Sequence, residues 1–482
     1  MRAICAIVAS LMLSCNTFAD VINVPADYPT IQAAIDASSD GDVINIAAGT
    51  FNEANLNPGD KVVTIQGTLN TNGSLATTID ANMQGGSVFY IANNQSPNLE
   101  LKHLYITGVQ SFAGAGIYCV ASNPTVSHCT ILGNIATISG GGVYCNNSSP
   151  TIFDCAIVNN SSSEAGGGIT CDISSNPTIT DCIISNNVSE QRGGGIFCYN
   201  DCSPVISNCI ISRNTASDNS YGGGVFCYRS RTMFDNCVIE NNSINGSGGG
   251  ISYFNSNGTM IDCAILNNNT TGIYGFGGGL ETVFSSHVEL ISCTISGNDA
   301  SRYGGGIYAS SSNNYLVTKG CTLTDNMAWR GGGFYCYQTN ALITESLIEN
   351  NSTGSYGGGI VCRSNSNTTI NSSMILNNSA GFDGGGIYQE NAISALMDTI
   401  VCGNAPDQIY GDWTDNDGNT VTDDCPLCPG DATGDGYVDV NDVLYLISAW
   451  DTADPNADFD GDGLVDTDDV LILLSNFGEP CP

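Results

Sequence analysis

Gly140-Gly141-Gly142-Val143-Tyr144-Cys145, then a polar turn closing on Ser149-Pro150, then Thr151-Ile152-Phe153-Asp154-Cys155-Ala156-Ile157 and, three residues on, Asn160: this pattern recurs along most of the chain. The glycine block starts again at Gly114, Gly166, Gly193, Gly222, Gly248, Gly277, Gly304, Gly331, Gly357 and Gly384, so successive starts lie 26 to 29 residues apart. That period is too short for a propeller blade, and no helical periodicity runs through the units, which excludes helical repeats. The apolar stretches within a unit are a few residues long and alternate in and out, as short strands do. Each unit is therefore one coil of several strands, and about eleven such coils stack with parallel strands about 4.8 Å apart.

An asparagine stands five residues after the Cys155-type position in every coil: Asn134, Asn160, Asn187, Asn214, Asn242, Asn268, Asn298, Asn326, Asn351, Asn378 and Asn404. Asparagine adopts the left-handed conformation of a sharp turn, and its amide can bond to the same amide one coil away, so these residues read as a ladder.

Three further columns follow from the alternation. Cys129, Cys155, Cys182, Cys209, Cys237, Cys263, Cys293 and Cys321 each precede an inward residue such as Ile131 by two, and so point inward. Cys119, Cys145, Cys171, Cys198, Cys227, Cys336 and Cys362 form a second inward column. Side chains parallel and about 4.8 Å apart exceed the usual Cβ separation of a disulfide, which favours stacked buried thiols acting as small apolar residues. His103, His128 and His287 read as unrelated repeat positions, which argues against a cysteine–histidine metal site. Tyr118, Tyr144, Phe197, Phe226, Tyr308, Tyr335 and Tyr388 alternate outward, with Tyr199, Tyr228 and Tyr337 just beyond and Tyr221, Phe276, Tyr303, Trp329 and Tyr356 ahead of the glycines. They either pack on one another and staple adjacent coils or present an aromatic platform to sugar rings or a protein.

Composition narrows the partners. Asp and Glu total 47 against 11 Lys and Arg, a net charge of −36 that repels nucleic acid and anionic lipid and leaves cations and neutral polymers. Met1-Arg2, the apolar run Ala3–Leu13 and the small residues up to Ala19 have the order of a secretory signal over residues 1–19, which predicts a secreted or cell-surface protein. Leu11-Met12-Leu13-Ser14-Cys15 loosely resembles a lipoprotein box, although Leu13 is larger than that box prefers. No other apolar stretch is long enough for a transmembrane segment. Of the 22 cysteines, those after Cys5 and Cys15 suit an oxidising compartment if paired, and spacing does not give the pairing.

After Cys425-Pro426-Leu427-Cys428-Pro429 the composition changes: no Lys or Arg follows, and Asp recurs at ordered intervals. Asp431, Thr433, Asp435, Tyr437, Asp439 and Asp442 occupy ligand positions 1, 3, 5, 7, 9 and 12 of a calcium loop, with Gly436 at the sharp turn. Asp458, Asp460, Asp462, Leu464, Asp466 and Asp469 repeat the set around Gly463, the second loop starting 27 residues after the first. Tyr437 and Leu464 would offer backbone carbonyls, and the spacing wraps hard oxygens around one cation in each loop, two calcium ions in all. Each loop runs into an apolar helical segment, Val443–Ile447 and Val470–Leu474. Cys428 and Cys481 bracket the module and could clasp its ends.

The coils over roughly residues 21–424 resemble the pectin-lyase-like right-handed parallel β-helix proteins, including the Gly-Gly-Gly-Ile repeats of polymorphic outer-membrane proteins. Pro25-Ala26-Asp27-Tyr28-Pro29-Thr30-Ile31-Gln32-Ala33-Ala34-Ile35, with Gly41-Asp42-Val43-Ile44 and Gly49-Thr50-Phe51, is similar to that family's N-terminal cap. Ile31, Ala34 and Ile35 share one helical face that could plug an open apolar end. The resemblance implies a polysaccharide lyase or hydrolase as one possibility. The Gly-His-Gly and Arg-Ile-Lys segments of the family's hydrolases are absent, and Arg192, Arg213, Arg229, Arg231, Arg302, Arg330 and Arg363 are scattered without a matching acidic cluster. The tail resembles a type I dockerin, an EF-hand-like pair that docks onto a cohesin partner; Asp442 and Asp469 replace the usual Glu as dockerins have it, and Thr433 is a weaker ligand than Asp.

The expected organisation is all-β: a leader over 1–19, a cap and first coils over 20–110, a right-handed parallel β-helix over 111–424, and a small α-helical dockerin-like calcium module over 425–482. The expected role is a secreted calcium-binding scaffold, carbohydrate-associated or adhesive, docked through its tail to a cohesin-like or cell-surface protein. The alternative is a polysaccharide lyase or glycoside hydrolase delivered by the same tail.

Overall fold

The computed structural model describes residues 19–92, 96, 98–217, 220–425, 430–433 and 437–478. The leader up to Phe18, Asp435, Gly436, Cys428 and Cys481 therefore lie outside the described residues. The chain forms two compact units, residues 1–218 with 223–238, and residues 219–222 with 239–482.

The first unit opens with strand Val21–Val24, which pairs in parallel with Val43–Ile46, Ile22 opposite Ile44. Between them runs helix α1, Ile31–Ala37, started by the Thr30 side chain accepting from the Ala33 N–H; Ile31, Ala34 and Ile35 are its buried face. The coils follow. In one of them Val143–Asn146, Thr151–Phe153, Ala156–Val158 and the two-residue Ser161–Ser162 are successive strands, each paired in parallel and in register with its counterpart one coil on. Cys145 faces Cys171, and Ile157 faces Ile184. Every strand leaves one row inside, so the core is a set of stacked columns such as Ile131, Ile157, Ile184 and Ile211. Parallel strands are joined by corners alone, which is why helices are not needed between them here.

The second unit repeats this coil, for example Ile251–Phe254, Asn257–Ile261, Ala264–Leu266 and Asn269–Thr270. A disulfide between Cys402 and Cys425 ties its last coils, a pairing that spacing alone did not predict. Helices α2, Val440–Ser448, and α3, Thr467–Ser475, then pack through a core of their own, Val438, Leu446, Ala449, Ala457, Val465 and Leu473.

The asparagine ladder holds the corners. Asn298 donates from its backbone N and its Nδ2 to Asn326 Oδ1, at 3.0 and 2.9 Å, and Asn326 Nδ2 also donates to the Ile295 carbonyl at 2.8 Å. The same bonds link Asn134, Asn160, Asn187 and Asn214 in the first unit. In the second unit the chain of bonds ends on Gln408, whose Oε1 accepts from Asn404 Nδ2. The left-handed residue, however, is the one before each ladder asparagine: Gly133, Asn159, Asn186, Arg213, Asn241, Asn267, Gly297, Asp325, Asn350, Asn377 and Gly403 all have φ between 52° and 66°. The corner turns at that residue and so aims the next side chain inward, where its amide satisfies backbone groups that no strand reaches.

The glycines are explained by contact as well as conformation. Gly304 has φ +67°, and a Cβ on Gly305 would stand 2.3 Å from the Met327 carbonyl oxygen and 2.5 Å from that of Gly332. The cysteine column at the other corner does more than fill space. Cys293 N–H donates to Cys321 Sγ and Cys321 N–H to Ser346 Oγ, while each thiol donates back to a carbonyl, so oxygen takes over the role of sulfur where the thiols end. Apart from Cys402 and Cys425, the described cysteines are buried thiols outside any disulfide, and burial alone pushes the Cys119 thiol up to about 12. His103 and His128 also differ from expectation: both occupy the left-handed corner before this column, and their rings meet edge-on at 5.3 Å.

Replacing Asn326 with Ala strands the Asn298 N–H groups and the Ile295 carbonyl in the core; a loss of about 2–5 kcal/mol is expected. Thermal unfolding together with hydrogen exchange in residues 290–360 checks this, and an unchanged midpoint would show the ladder to be dispensable.

Candidate functional site

The aromatic column lies on the outer face of the strands that follow the glycines, and its rings stack. In the first unit Tyr118 and Tyr144 meet edge-on at 5.2 Å, and Phe197 and Phe226 stack at 5.6 Å. In the second, Tyr308 and Tyr335 stack at 5.6 Å and Tyr388 stacks on Tyr410 at 5.2 Å. Of the two readings of this column, rings packed on one another describe most of it, and an exposed platform does not. Phe226 and Tyr335 are each 2% exposed, and Phe197, Tyr308 and Tyr388 are also buried. In the second unit the reason is that Phe276, Tyr303 and Tyr356, from the segment ahead of the glycines, pack against the column. The scattered arginines join this layer: Arg229 covers Tyr228 at 5.1 Å, Arg330 covers Tyr356 at 5.0 Å, and Arg302 lies 5.0 Å from the Tyr303 ring centre.

The column is interrupted in the second unit. Ser252, Glu281 and Tyr308 stand in register on successive strands, so a serine and a glutamate occupy two consecutive positions that carry rings in most other coils, Thr170 and Val361 being single exceptions. Their small volume leaves a concavity of about 530 Å³, walled by Tyr221, Tyr274, Phe276, Phe284 and Tyr308 and rimmed by Ser310, Ser311 and Gln338. Glu281 forms part of this lining, yet its side chain is buried. Ser252 Oγ donates to its Oε2 at 2.6 Å. Burial raises the carboxyl to about 8 despite the opposing hydrogen bonds from Ser252 and Ser247, so it is protonated at neutral pH. A neutral carboxylic acid both donates and accepts, and here it sits among hydroxyls beneath aromatic faces. Sequence reasoning passed over Glu281, although one signal was present: it is the acidic residue in the outward position after Gly277-Gly278-Gly279-Leu280.

In the C-terminal module the carboxylate oxygens of Asp458, Asp460 and Asp462 lie within 4.8 Å of one another. Their geometry is held from the backbone: Asp458 Oδ2 accepts from Gly463 N at 2.9 Å, Asp460 Oδ1 from Asp462 N at 3.0 Å, and Asp462 Oδ1 from Leu464 N at 2.9 Å. Asp466 caps α3 and Asp469 is buried, its Oδ1 accepting from Phe459 N at 2.6 Å and its Oδ2 from Asp466 N at 2.8 Å. The first loop mirrors it, with Asp439 capping α2 and buried Asp442 accepting from Thr433 N at 2.9 Å and Asp439 N at 2.8 Å. Asp431 and Tyr437 flank it, and Asp435 lies outside the described residues. Three converging carboxylates are a donor set that fits a hard cation. Among the described residues, no helix is long and apolar enough to cross a membrane.

Residues 68–237, 217–354 and 278–422 match the family described as right handed beta helix region, well over half of the chain. No curated protein matches the sequence. Among solved structures, the chain is similar to the A-module of mannuronan C-5 epimerase AlgE6 from Azotobacter vinelandii, with 13% identity and a TM-score of 0.39 over 82% of this chain and 94% of that one. It is also similar to the catalytic unit of a GH87 α-1,3-glucanase from Streptomyces thermodiastaticus, with 14% identity and a TM-score of 0.38 over 82% and 65%. A mannuronic acid specific polysaccharide family 6 lyase from human gut microbiota is similar at 10% identity, with a TM-score of 0.33 over 78% and 86%.

Because the folded carboxyl of Glu281 titrates near 8 and the unfolded one near 4.5, the folded state holds the extra proton between those values. Stability contributed by this group is full below about pH 4.5, falls as pH rises, and is lost above about 8. Glu281→Gln should therefore flatten the decline of stability between pH 5 and 8, read by denaturant melts across that range; a parent and variant that decline in parallel would count against a buried, protonated Glu281.

Proposed function

The chain belongs to the right-handed β-helix family, and we propose that its coils are a secreted carbohydrate-binding scaffold held in place through a calcium-loaded C-terminal module. The observation that carries the reading is the concavity at Glu281. Aromatic faces suit the C–H faces of sugar rings, and Glu281, Ser310, Ser311 and Gln338 offer hydrogen bonds to hydroxyls. Among the described residues its lining holds one carboxyl, Glu281, and Arg302 lies over two of its walls, 5.7 Å from the Tyr274 ring centre and 6.0 Å from that of Phe276. Hydrolysis needs two carboxyls about 5 to 10 Å apart, whereas the single protonated carboxyl described here suits hydrogen bonding to sugar hydroxyls, which favours the binding reading.

Calcium fits the second loop of the module through the converging Asp458, Asp460 and Asp462; by the loop spacing the Leu464 carbonyl and Asp466 would join them, and the first loop would use Asp431, Thr433, Asp435, the Tyr437 carbonyl and Asp439. Asp442 and Asp469 complete the two sets. The ion would neutralise carboxylates that otherwise repel one another and so stabilise the loops on which α2 and α3 are capped. A cohesin-like or cell-surface anchoring protein is the partner this reading implies. Val440, Leu444, Ile447 and Trp450 run along α2 and its end with their side chains exposed, and Leu471, Leu474 and Phe477 repeat the stripe on α3. Such apolar stripes support a protein partner rather than free solvent.

Two experiments test the two halves. Tyr274→Ala, at a half-exposed wall of the concavity, should weaken binding of soluble oligosaccharides about tenfold, a loss of about 1.4 kcal/mol, in calorimetry with the intact chain; equal affinity would remove the concavity from the reading. Calcium should slow hydrogen exchange across residues 437–478, and Asp458→Ala with Asp460→Ala should abolish that effect in the second loop. Exchange indifferent to calcium would rule out the metal.

A further inference from the structure

A second concavity in the same unit, about 650 Å³, lies where the strand Ile387–Glu390 turns into Ile393–Met397. Its lining is rich in neutral amides: Asn365, Asn367, Gln389 and Asn391, with Asp412 and the half-exposed Ile393. Gln389 takes the inward position that Cys362 holds one coil earlier. Its Oε1 accepts from Ser394 N at 2.7 Å, but its buried Nε2 donates to nothing among the described residues. Gly411, which packs against Gln389 and lines the same hollow, has no side chain with which to cover it. A buried amide hydrogen without an acceptor costs about 1–3 kcal/mol, so the coil departs here from the pattern that the Cys362 position sets.

We propose that this amide-lined hollow is a saccharide site of its own, selective for neutral sugars. Each planar amide presents a donor and an acceptor side by side, which matches vicinal hydroxyls, and Asp412 accepts a further hydroxyl. Ile393 offers an apolar surface for one ring face. Among the described residues no Lys or Arg lines the hollow, and the net charge of −36 disfavours uronate polymers. The site stands on the exposed Asn365, Asn367 and Asn391 with Gln389 behind them, and is independent of the concavity at Glu281.

The test titrates the intact chain with cellohexaose, mannohexaose, xylohexaose and, as a charged probe, hexagalacturonate. The Asn367→Ala/Asn391→Ala variant changes two exposed side chains, and Gln389→Met removes the amide and its donor at nearly constant volume. At least one neutral hexasaccharide should bind, hexagalacturonate at least tenfold more weakly, and both variants should lose at least tenfold for the neutral probe. Tyr274→Ala should leave this component intact. Binding that both hollow variants retain and Tyr274→Ala removes would overturn this site and leave the concavity at Glu281 standing. Silence with all three neutral probes, or preference for hexagalacturonate, would also overturn it.

Discussion

A coil that stacks on its neighbours through parallel strands satisfies its backbone along the strands and leaves it unsatisfied at the corners. The structure depends on closing those corners with side chains from the next coil. Asparagine does so at one corner, its Oδ1 taking two donors and its Nδ2 serving both the next amide and a carbonyl. Thiols and then hydroxyls do so at another, as Cys321 passes the role to Ser346 and Ser346 to Ser373. Because each corner bond reaches into the adjacent coil, the corner residues must recur at the coil period, and that requirement produces the repeat.

The same close stacking explains the glycines and the aromatic layer together. Coils approach so tightly at Gly304-Gly305-Gly306 that a methyl group would collide with backbone oxygens. The next residue but one turns outward directly from that contact, so rings such as Tyr308 and Tyr335 stack on one another. Stacked rings staple coils and are covered by a second aromatic row; they become a ligand surface only where the stack fails. Ser252 and Glu281 are such a failure, and the buried carboxyl there is the chemical consequence of removing two rings without removing the cover.

The C-terminal module works by a different principle. Its helices are short and its core is small, so their starts rest on capping by Asp439 and Asp466 and on carboxylates gathered in the loops. Concentrated negative charge in a small domain is unfavourable without a counter-ion, which ties the proposed metal to the order of the module.

The coil period, the inward and outward rows, the ladder asparagines, the cap helix around Ile31 and the ordered aspartates were all legible in the sequence, because each is local or recurs at a fixed interval. Four things were not. The left-handed turn falls one residue before each ladder asparagine, since spacing locates a column but not which of two adjacent residues bends. The thiols' hydrogen bonds, the Cys402–Cys425 disulfide and the pairing of His103 with His128 depend on which side chains meet across coils. The burial of Phe226 and Tyr335 depends on neighbouring rings, which alternation alone does not reveal. Glu281 and Gln389 matter because of what is missing around them, a ring in one case and a side chain at Gly411 in the other. Periodicity in a sequence records the contacts that every coil must make; a ligand site forms where one coil departs from them, and only the packed structure shows what the departure leaves open.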